Sequence, residues 1–248
     1  THAEQQGVYC GADCAKGQHI AVPDALCDVG IEADAVLSVT MPPPMEGIGG
    51  TGTFCASDQR GRPLHLVFNW HQRPSPSRLA SADRAALKQS NRGLILHEIL
   101  HGLGFGTFLW LHSYEGNGDR RRLIEQKRVI DQDGSEDVVY HWVSGTRTYE
   151  AAKTYFGCED DSQWQGLPMM GYPRSGRDSH HETRIMREDV MSYGDSAAVS
   201  AITLATFEDT GHYVANYSNA DCTHWGRGRG CGFVTSRCEV RSGGSLVN

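Results

Sequence analysis

The sequence predicts an α+β fold in a single domain. Three observations support this: short strand-like runs lie between residues 35 and 70, a long helical pattern follows them, and 29 glycines in 248 residues allow many turns. Apolar residues make up 39% of the chain, which is enough at this length to bury one sizeable core. We therefore expect one globular, loop-rich domain over residues 1–248.

Three strands are predicted where β-branched and aromatic residues cluster between turn residues. AVLSVT occupies 35–40, GTGTFC occupies 50–55 and LHLVFNW occupies 64–70. We expect these runs to form a small sheet. A later stretch, VIDQDGSEDVVYHWV at 129–143, has the pattern of a hairpin with its turn near Asp133. Its DQDG run lacks the spaced acidic ligands of a calcium loop, so we interpret it as a β-turn.

Three helices are predicted from apolar periodicity. The first begins near Ser81, and Leu96, Leu100 and Leu103 recur on one of its faces at i, i+4 and i+7 before a pair of glycines ends it. The second, TRTYEAAKTYFGC, ends at Gly157. The third, SAAVSAITLATFEDTG, also stops at a glycine.

The charge of the chain argues against nucleic-acid binding. The formal net charge is −7, whereas a phosphate-binding surface needs clustered Lys and Arg. Two short basic runs, Arg120–Arg122 and the GRGRG at 226–230, are interpreted as solvated loops. No apolar run approaches the roughly 20 residues of a membrane-spanning helix, so no transmembrane segment is predicted.

The cysteine pattern indicates an oxidising compartment. The eight cysteines include no CxxC pair, which favours four disulfides in a secreted protein over a structural zinc site. The sequon at Asn216 fits that compartment. Because the chain begins without a leader, we expect a mature form from which the leader, with any pro-segment of a zymogen, has been removed. The cysteines are Cys10, Cys14, Cys27, Cys55, Cys158, Cys222, Cys231 and Cys238.

The strongest chemical signal is GLILHEILHGLGFG at 93–106. Residues four apart share one helix face, so His97 and His101 can both bind one Zn²⁺. Glu98 then lies beside the metal, where it can take a proton from a bound water. A chance match is the alternative in a chain with 12 histidines, but a buried, glycine-terminated helix favours the zinc site.

A catalytic zinc site needs a third protein ligand, and the position of that ligand is not obvious. Thr107 stands where compact motifs have a histidine, and Glu125 has no supporting motif around it. In SHHETRIMREDVMSYG, His180 lies eleven residues before Met191. The other candidates on the C-terminal side of the helix are His112, His141, His181, His212 and His224.

From these motifs the sequence resembles the leishmanolysin family of metzincin peptidases, in which a long insertion precedes the third histidine of a Ser-His-Trp-Glu-like segment. The similar stretches, in the same order, are GTFCASDQRGRPLHLVFNW, YFGC, SHHE, LATFEDTGHYVANYS and HWGRGRGCGFVTSRC. These stretches are spread over residues 52–238, so the resemblance extends over most of the chain. Leishmanolysin has a further cysteine-rich C-terminal domain, which we do not expect in this chain.

The resemblance implies one catalytic Zn²⁺ held by His97, His101 and His180. It also implies Glu98 as general base and acid and Met191 as the methionine of the Met-turn. The implied fold has two lobes: residues 1–104 form an upper lobe with a twisted mixed sheet and the zinc-binding helix. Residues 105–248 form a lower lobe with the third histidine, the Met-turn, a C-terminal helix and a disulfide-rich end.

Two positions depart from the family. Tyr193 resembles a tyrosine of astacins and serralysins that touches the zinc or stabilises the oxyanion, and the alternative is a wall of the specificity pocket. His181 stands where the family usually has tryptophan, so we expect it to pack beside the site.

The resemblance also suggests a set of disulfides. It pairs Cys14 with Cys55 and Cys158 with Cys231. This leaves Cys10 with Cys27 and Cys222 with Cys238.

The expected function is that of a secreted, monomeric zinc endopeptidase acting on peptide or protein substrates. The edge strand near residues 48–54 would take up an extended substrate, and its glycines would let a peptide approach. One alternative is a zinc-binding recognition or adhesion module without turnover, against which the intact Glu98 argues. Another is a zinc amidase acting on a non-peptide substrate.

Overall fold

The structure is a computed structural model with a mixed α+β fold. Within the described residues no helix combines the length and apolar character needed to span a bilayer. Most of the first thirty residues and the predicted turn near Asp133 lie outside the description. The residues described are 13–14, 18–19, 31–41, 48–71, 81–114, 120–130, 136–160, 162–170, 179–194, 196–236, 240–242 and 245–247.

The three predicted strands form one mixed sheet. Strand β3 (Val36–Thr40) is parallel to β5 (Pro63–Trp70), and β4 (Gly50–Ser57) pairs antiparallel with the other side of β5. Among the described strands the order is β3-β5-β4, so β4 is an edge strand, as expected. A separate short pair, β1 (Asp13–Cys14) and β2 (Gln18–His19), precedes this sheet.

A 22-residue helix, α1 (Ser81–Gly102), follows the sheet and packs against β4 and β5. Close approach requires glycine on the strand. A Cβ at Gly52 would overlap the carbonyl oxygen of Glu98, and one at Gly50 would lie 2.9 Å from Cε2 of Phe68. Gly52 therefore admits the helix backbone, and Gly50 admits the ring of Phe68. The expectation that these glycines also let a substrate peptide approach stays a prediction.

The segment after α1 contains the predicted hairpin. Strands β8 (Ile124–Ile130) and β9 (Glu136–Trp142) are antiparallel, with Ile130 opposite Glu136, so both predicted arms of the hairpin are present. They are preceded by a short helix, α2 (Thr107–His112), and by a small antiparallel pair, β6 (Ser113–Tyr114) and β7 (Arg120–Arg121).

Helix α3 (Arg147–Phe156) has the predicted end. Gly157 closes it in the left-handed region, at φ 66°. At its start, the buried carboxylate of Asp209 accepts hydrogen bonds from the backbone N–H groups of Arg147 and Thr148, each at 2.8 Å. An anionic acceptor at a helix N-terminus satisfies otherwise unpaired donors, and Asp209 thereby fixes α3 to the next helix.

Helix α4 (Ala201–Asp209) begins later than the sequence suggested. Ser200 is its N-cap and accepts from the N–H of Thr203 at 3.2 Å. The residues before it are extended instead, because Ala198 forms a parallel bridge with Asp189. A 3₁₀ turn at Tyr217–Asn219 and a short helix, α5 (Cys231–Thr235), follow. Two short strands come last, β10 (Val240–Ser242) and β11 (Ser245–Val247).

One hydrophobic cluster joins α1, the β8–β9 hairpin, α3 and α4. Leu100 of α1 belongs to it, together with Trp142 of β9, Phe156 of α3 and Ile202 of α4. Aromatic pairs are prominent in it, and the rings of Trp110 and Trp142 meet edge to face at 5.2 Å. The helix that carries the HExxH motif therefore shares one core with the elements that follow it.

The disulfides agree only in part with expectation. Cys158 and Cys231 are bonded, with their Cα atoms 4.5 Å apart, and Cys55 is also in a disulfide. Cys222, however, is a free and exposed cysteine in a surface loop, so the structure does not contain the expected pair of Cys222 with Cys238. Cys14 is described only as part of β1, and Cys10, Cys27 and Cys238 lie outside the described residues.

Candidate metal centre

Three histidine rings converge at one point. The Nε2 atoms of His97 and His101 are 3.1 Å apart, and those of His97 and His180 are 3.0 Å apart. The third side of the triangle, from His101 to His180, is 3.2 Å. All three residues are half-buried. Among the described residues, they are the single group of three or more His, Cys, Asp or Glu side chains arranged to hold a metal ion.

The dimensions of this triangle fit zinc. Three imidazole nitrogens at about 2.0–2.1 Å from a tetrahedral Zn²⁺ are about 3.3–3.4 Å from one another. The observed separations of 3.0–3.2 Å fall short of that by a few tenths of an ångström. An imidazole nitrogen without a proton carries a lone pair, so three such nitrogens at this distance form a donor set for a cation.

The opposite ring nitrogens define which tautomer faces the centre. Nδ1–H of His97 donates to the carbonyl oxygen of Val190 at 2.6 Å, and Nδ1–H of His101 donates to that of Phe105 at 2.7 Å. A proton on Nδ1 leaves Nε2 as the acceptor, which is the usual arrangement of metal-binding histidines. Phe105 can reach back because the chain turns at Gly104, where φ is 112°.

His180 is held by the chain around it rather than by a helix. Its carbonyl oxygen accepts from the N–H of Met170 at 3.0 Å. Its ring stacks on that of Tyr193, with centroids 4.0 Å apart and planes 28° apart. Tyr193 is otherwise exposed, with 46% of its surface accessible. The Tyr193 ring therefore covers one side of His180, while the other side of the Tyr193 ring stays in solvent.

Glu98 follows His97 on α1 and is buried, with 7% of its surface accessible. Its helix position places it about 100° from His97 around the axis. The helix at this residue lies directly on β4, against Gly50 and Gly52. The carboxylate is thus carried by a rigid element at the junction of sheet and helix.

Met191 and His181 are both in the core behind the three histidines. Met191 is fully buried, and its carbonyl oxygen accepts from the N–H of His181 at 2.9 Å. The His181 ring is fully buried too, with Nε2 at 3.2 Å from Oγ1 of Thr203. Burial lowers the pKa of His181 to about 4, opposed by the carboxylate of Asp189 and reinforced by His180. His181 is therefore neutral and packs against α4.

Sequence reasoning missed Asp189. Its carboxylate is 1% exposed and accepts from the N–H of Met191 at 2.7 Å and that of Ser200 at 3.2 Å. It also accepts from the hydroxyl of Thr203 at 2.8 Å. The only signal in the sequence was its place two residues before Met191.

The other candidates lie elsewhere. His141 is a buried residue of β9, His212 is half-buried after α4, and His224 is exposed near the C-terminal side of the chain. Glu125 lies on β8, where its carboxylate forms a 3.3 Å ion pair with Lys127. His112 is in α2, beyond Thr107.

The chain is similar to proteins of one family. A family model described as Leishmanolysin matches residues 4–243. A leishmanolysin homolog of Crithidia fasciculata is 26% identical over 94% of this chain and 32% of its own length. Leishmanolysin of Leishmania chagasi is 26% identical over 89% of this chain and 34% of its own. A leishmanolysin-like peptidase of Drosophila pseudoobscura pseudoobscura is 30% identical over 77% of this chain and 31% of its own length. The chain thus spans about a third of the length of these relatives.

Proposed function

The chain belongs to the leishmanolysin family, and from that premise we propose that it is a secreted zinc-dependent endopeptidase. The observation that carries the proposal is the convergence of three imidazole Nε2 atoms within 3.2 Å, from a helix and from a distant segment. His97, His101 and His180 are the proposed zinc ligands, and Met191 is the proposed residue of the Met-turn. In this proposal, residues 1–104 and 105–248 form the two lobes of one metzincin-like catalytic domain.

Zinc bound at this site would supply a Lewis acid for the scissile carbonyl and would lower the pKa of a water molecule. The protein's own part in the reaction belongs first to Glu98. Its carboxylate accepts a proton from the attacking water and returns it to the nitrogen of the leaving amine. Burial of Glu98 supports this role, because a base that is screened from bulk water keeps the proton within the site.

Tyr193 is proposed as a second catalytic group. Its ring already lies against His180, so its hydroxyl is carried on a side chain anchored at the proposed metal centre. A phenol O–H that donates to the developing oxyanion stabilises the transition state more than the ground state.

The substrate is proposed to be an extended peptide along the outer edge of β4, near Gly50 and Gly52. Among the described strands, β5 is the hydrogen-bonded neighbour of β4 in the sheet, and a peptide would add main-chain hydrogen bonds on the opposite side. Gly50 and Gly52 hold this strand against the helix at Glu98. A peptide on that edge would therefore run close to the base and the three histidines.

Secretion and a monomeric state complete the proposal. The Cys158–Cys231 disulfide supports an oxidising compartment. Asn216 is exposed in the described loop after α4, as an acceptor of N-linked glycan must be.

The test combines metal analysis with cleavage of a quenched peptide library. We expect about one zinc per chain and cleavage that is lost on removal of zinc. Glu98→Gln keeps the size of the side chain but cannot accept the proton, so it should bind zinc normally and cleave at least about 100-fold more slowly. The matched control is Glu182→Gln, a nearby half-buried glutamate outside the proposed machinery, which should leave both measurements unchanged.

The alternatives give different results. A recognition or adhesion module would bind zinc and peptides but would show no turnover that depends on Glu98. A zinc amidase would leave every peptide of the library intact while hydrolysing a non-peptide amide. Either result would overturn the endopeptidase proposal.

A further inference from the structure

We propose that Asp189 is a positioning residue that orients two of the three histidines, His97 and His180, through the groups that lie between them. The inference rests on the proposed zinc site. Its basis is that two hydrogen-bonded branches leave one buried carboxylate. One branch ends at the ring of His97, and the other ends at His181, the residue next to His180.

The first branch runs through the backbone to His97. One carboxylate oxygen of Asp189 accepts from the N–H of Met191 at 2.7 Å, which closes a tight turn over Val190. Within this turn the N–H of Val190 donates to the carbonyl oxygen of Ala198 at 2.7 Å, so the backbone of Val190 is held by hydrogen bonds on both sides. The Val190 carbonyl oxygen then accepts from Nδ1–H of His97 at 2.6 Å. The orientation of the His97 ring thus depends on the turn that Asp189 closes.

The second branch runs through side chains to the segment of His180. The hydroxyl of Thr203 donates to Asp189 at 2.8 Å. A hydroxyl has a single proton, so toward His181 the same oxygen can only accept, and Nε2–H of His181 is the donor at 3.2 Å. This bond, together with the one from His181 N–H to the Met191 carbonyl at 2.9 Å, fixes the residue adjacent to His180.

The network is fully buried, which makes its geometry rigid. Asp189, His181 and Thr203 are each no more than 1% exposed. Water cannot replace a lost partner there without rearrangement of the core, so loss of one bond moves the groups that remain. Partners behind metal ligands typically change metal affinity by 10–100-fold when they are removed.

The test measures zinc affinity directly, by competition between the purified chain and a chromogenic chelator. Thr203→Val removes the hydroxyl at nearly constant volume, and Asp189→Asn replaces one acceptor oxygen by a donor. Each should weaken zinc binding by about 10–100-fold. Thr203→Ser restores the hydroxyl and should return the affinity to within a few-fold of the wild type.

The matched control is Thr206→Val. Thr206 is equally buried on the same helix, but its hydroxyl donates to the Ile202 carbonyl at 3.1 Å and has no bond to this network. It should lower thermal stability of the metal-free chain about as much as Thr203→Val does, while zinc affinity stays unchanged.

Three results would count against the inference. If Thr203→Val binds zinc as the wild type does, or if Thr206→Val loses as much affinity, the branch through Thr203 does not position His180. The inference then fails as stated, and the proposed function is untouched. If the wild-type chain binds no zinc, the proposed function fails first, and the inference fails with it. Thr203→Val decides the branch toward His180, and Asp189→Asn, if it folds, removes the branch toward His97 as well.

Discussion

The carbonyl oxygen of Val190 accepts a 2.6 Å hydrogen bond from His97, although the two residues are 93 positions apart in the chain. The helix with the HExxH motif and the segment around Met191 are therefore joined before any metal is considered. Because the ring is oriented by this bond, Nε2 faces the other two histidines. The proposed site is in this sense preorganised by the protein alone.

Gly52→Ala should destabilise the protein. The added Cβ would overlap the Glu98 carbonyl oxygen, so strand β4 or helix α1 must shift. Overpacking of this kind typically costs about 1–3 kcal/mol, which urea unfolding can measure. Gly232→Ala is the control, since its added Cβ would meet nothing closer than 3.8 Å, in Ser236. Equal stability of the two variants would show that the strand does not need glycine for packing.

Tyr193→Phe should separate stacking from hydrogen bonding. The phenylalanine ring can keep the contact with His180 but has no hydroxyl for the oxyanion. We expect kcat to fall by about 100-fold, the low end of the range for an oxyanion donor, with KM and zinc affinity unchanged. Full activity of Tyr193→Phe, combined with altered side-chain preference of Tyr193→Ala, would instead make Tyr193 a wall of the pocket.

His141 should make the protein less stable in acid. Burial is the main cause that lowers the pKa of His141 to about 4; Lys127 adds to it, and the Val139 backbone and Glu125 oppose it. Unfolded histidine titrates near 6.5. Between these values the unfolded chain binds a proton that the folded chain does not, so stability is lost as the pH falls from about 6.5 to 4.

This pH dependence can be assigned with His141→Gln. Between pH 7 and pH 4, the free energy of unfolding should fall in both metal-free proteins. We expect the fall to be about 3 kcal/mol smaller in the variant than in the wild type. The comparison of the two slopes does not depend on how stable the variant is at neutral pH. Parallel curves would mean that His141 takes up no proton on unfolding.

The Cys158–Cys231 disulfide should contribute measurably to stability. The two cysteines are 73 positions apart, so the bond restricts a long loop of the unfolded chain. Replacement of both by alanine should cost about 2–5 kcal/mol in urea unfolding. Cys222→Ser is the control, because Cys222 is free and exposed, and it should change stability by no more than about 0.5 kcal/mol. A large loss in that control would indicate that Cys222 is bonded in the protein.

Local patterns predicted most of the elements. The three strands, the hairpin arms, α1 and α3 follow from residue types within a few positions of one another, and they lie where expected. Helix α4 was predicted too long, because the bridge between Asp189 and Ala198 competes with helix formation before Ser200. Such a bridge depends on a partner that short-range periodicity does not identify.

The candidate site was likewise predictable only in part. The spacing of His97 and His101 is visible within one helical turn, and the motif that contains Met191 indicated His180. Asp189 has no such spacing, because its importance comes from Thr203 and Ser200, which reach it only after the chain has folded. The packing reason for Gly52 was likewise hidden, since it requires knowledge of which helix lies on the strand.

The distance in sequence between His101 and His180 has a consequence for how the protein matures. The intervening residues, 102–179, include a hairpin and a helix whose side chains enter the shared core, so the three imidazoles lie together only in a chain in which these elements are docked. An ion that binds all three rings would then stabilise only the chains in which these rings have come together. At an ion concentration 100 times the dissociation constant, this stabilisation is about 2.7 kcal/mol. Scarcity of the ion would therefore leave newly made chains more open to degradation, apart from any effect on the proposed peptidase activity.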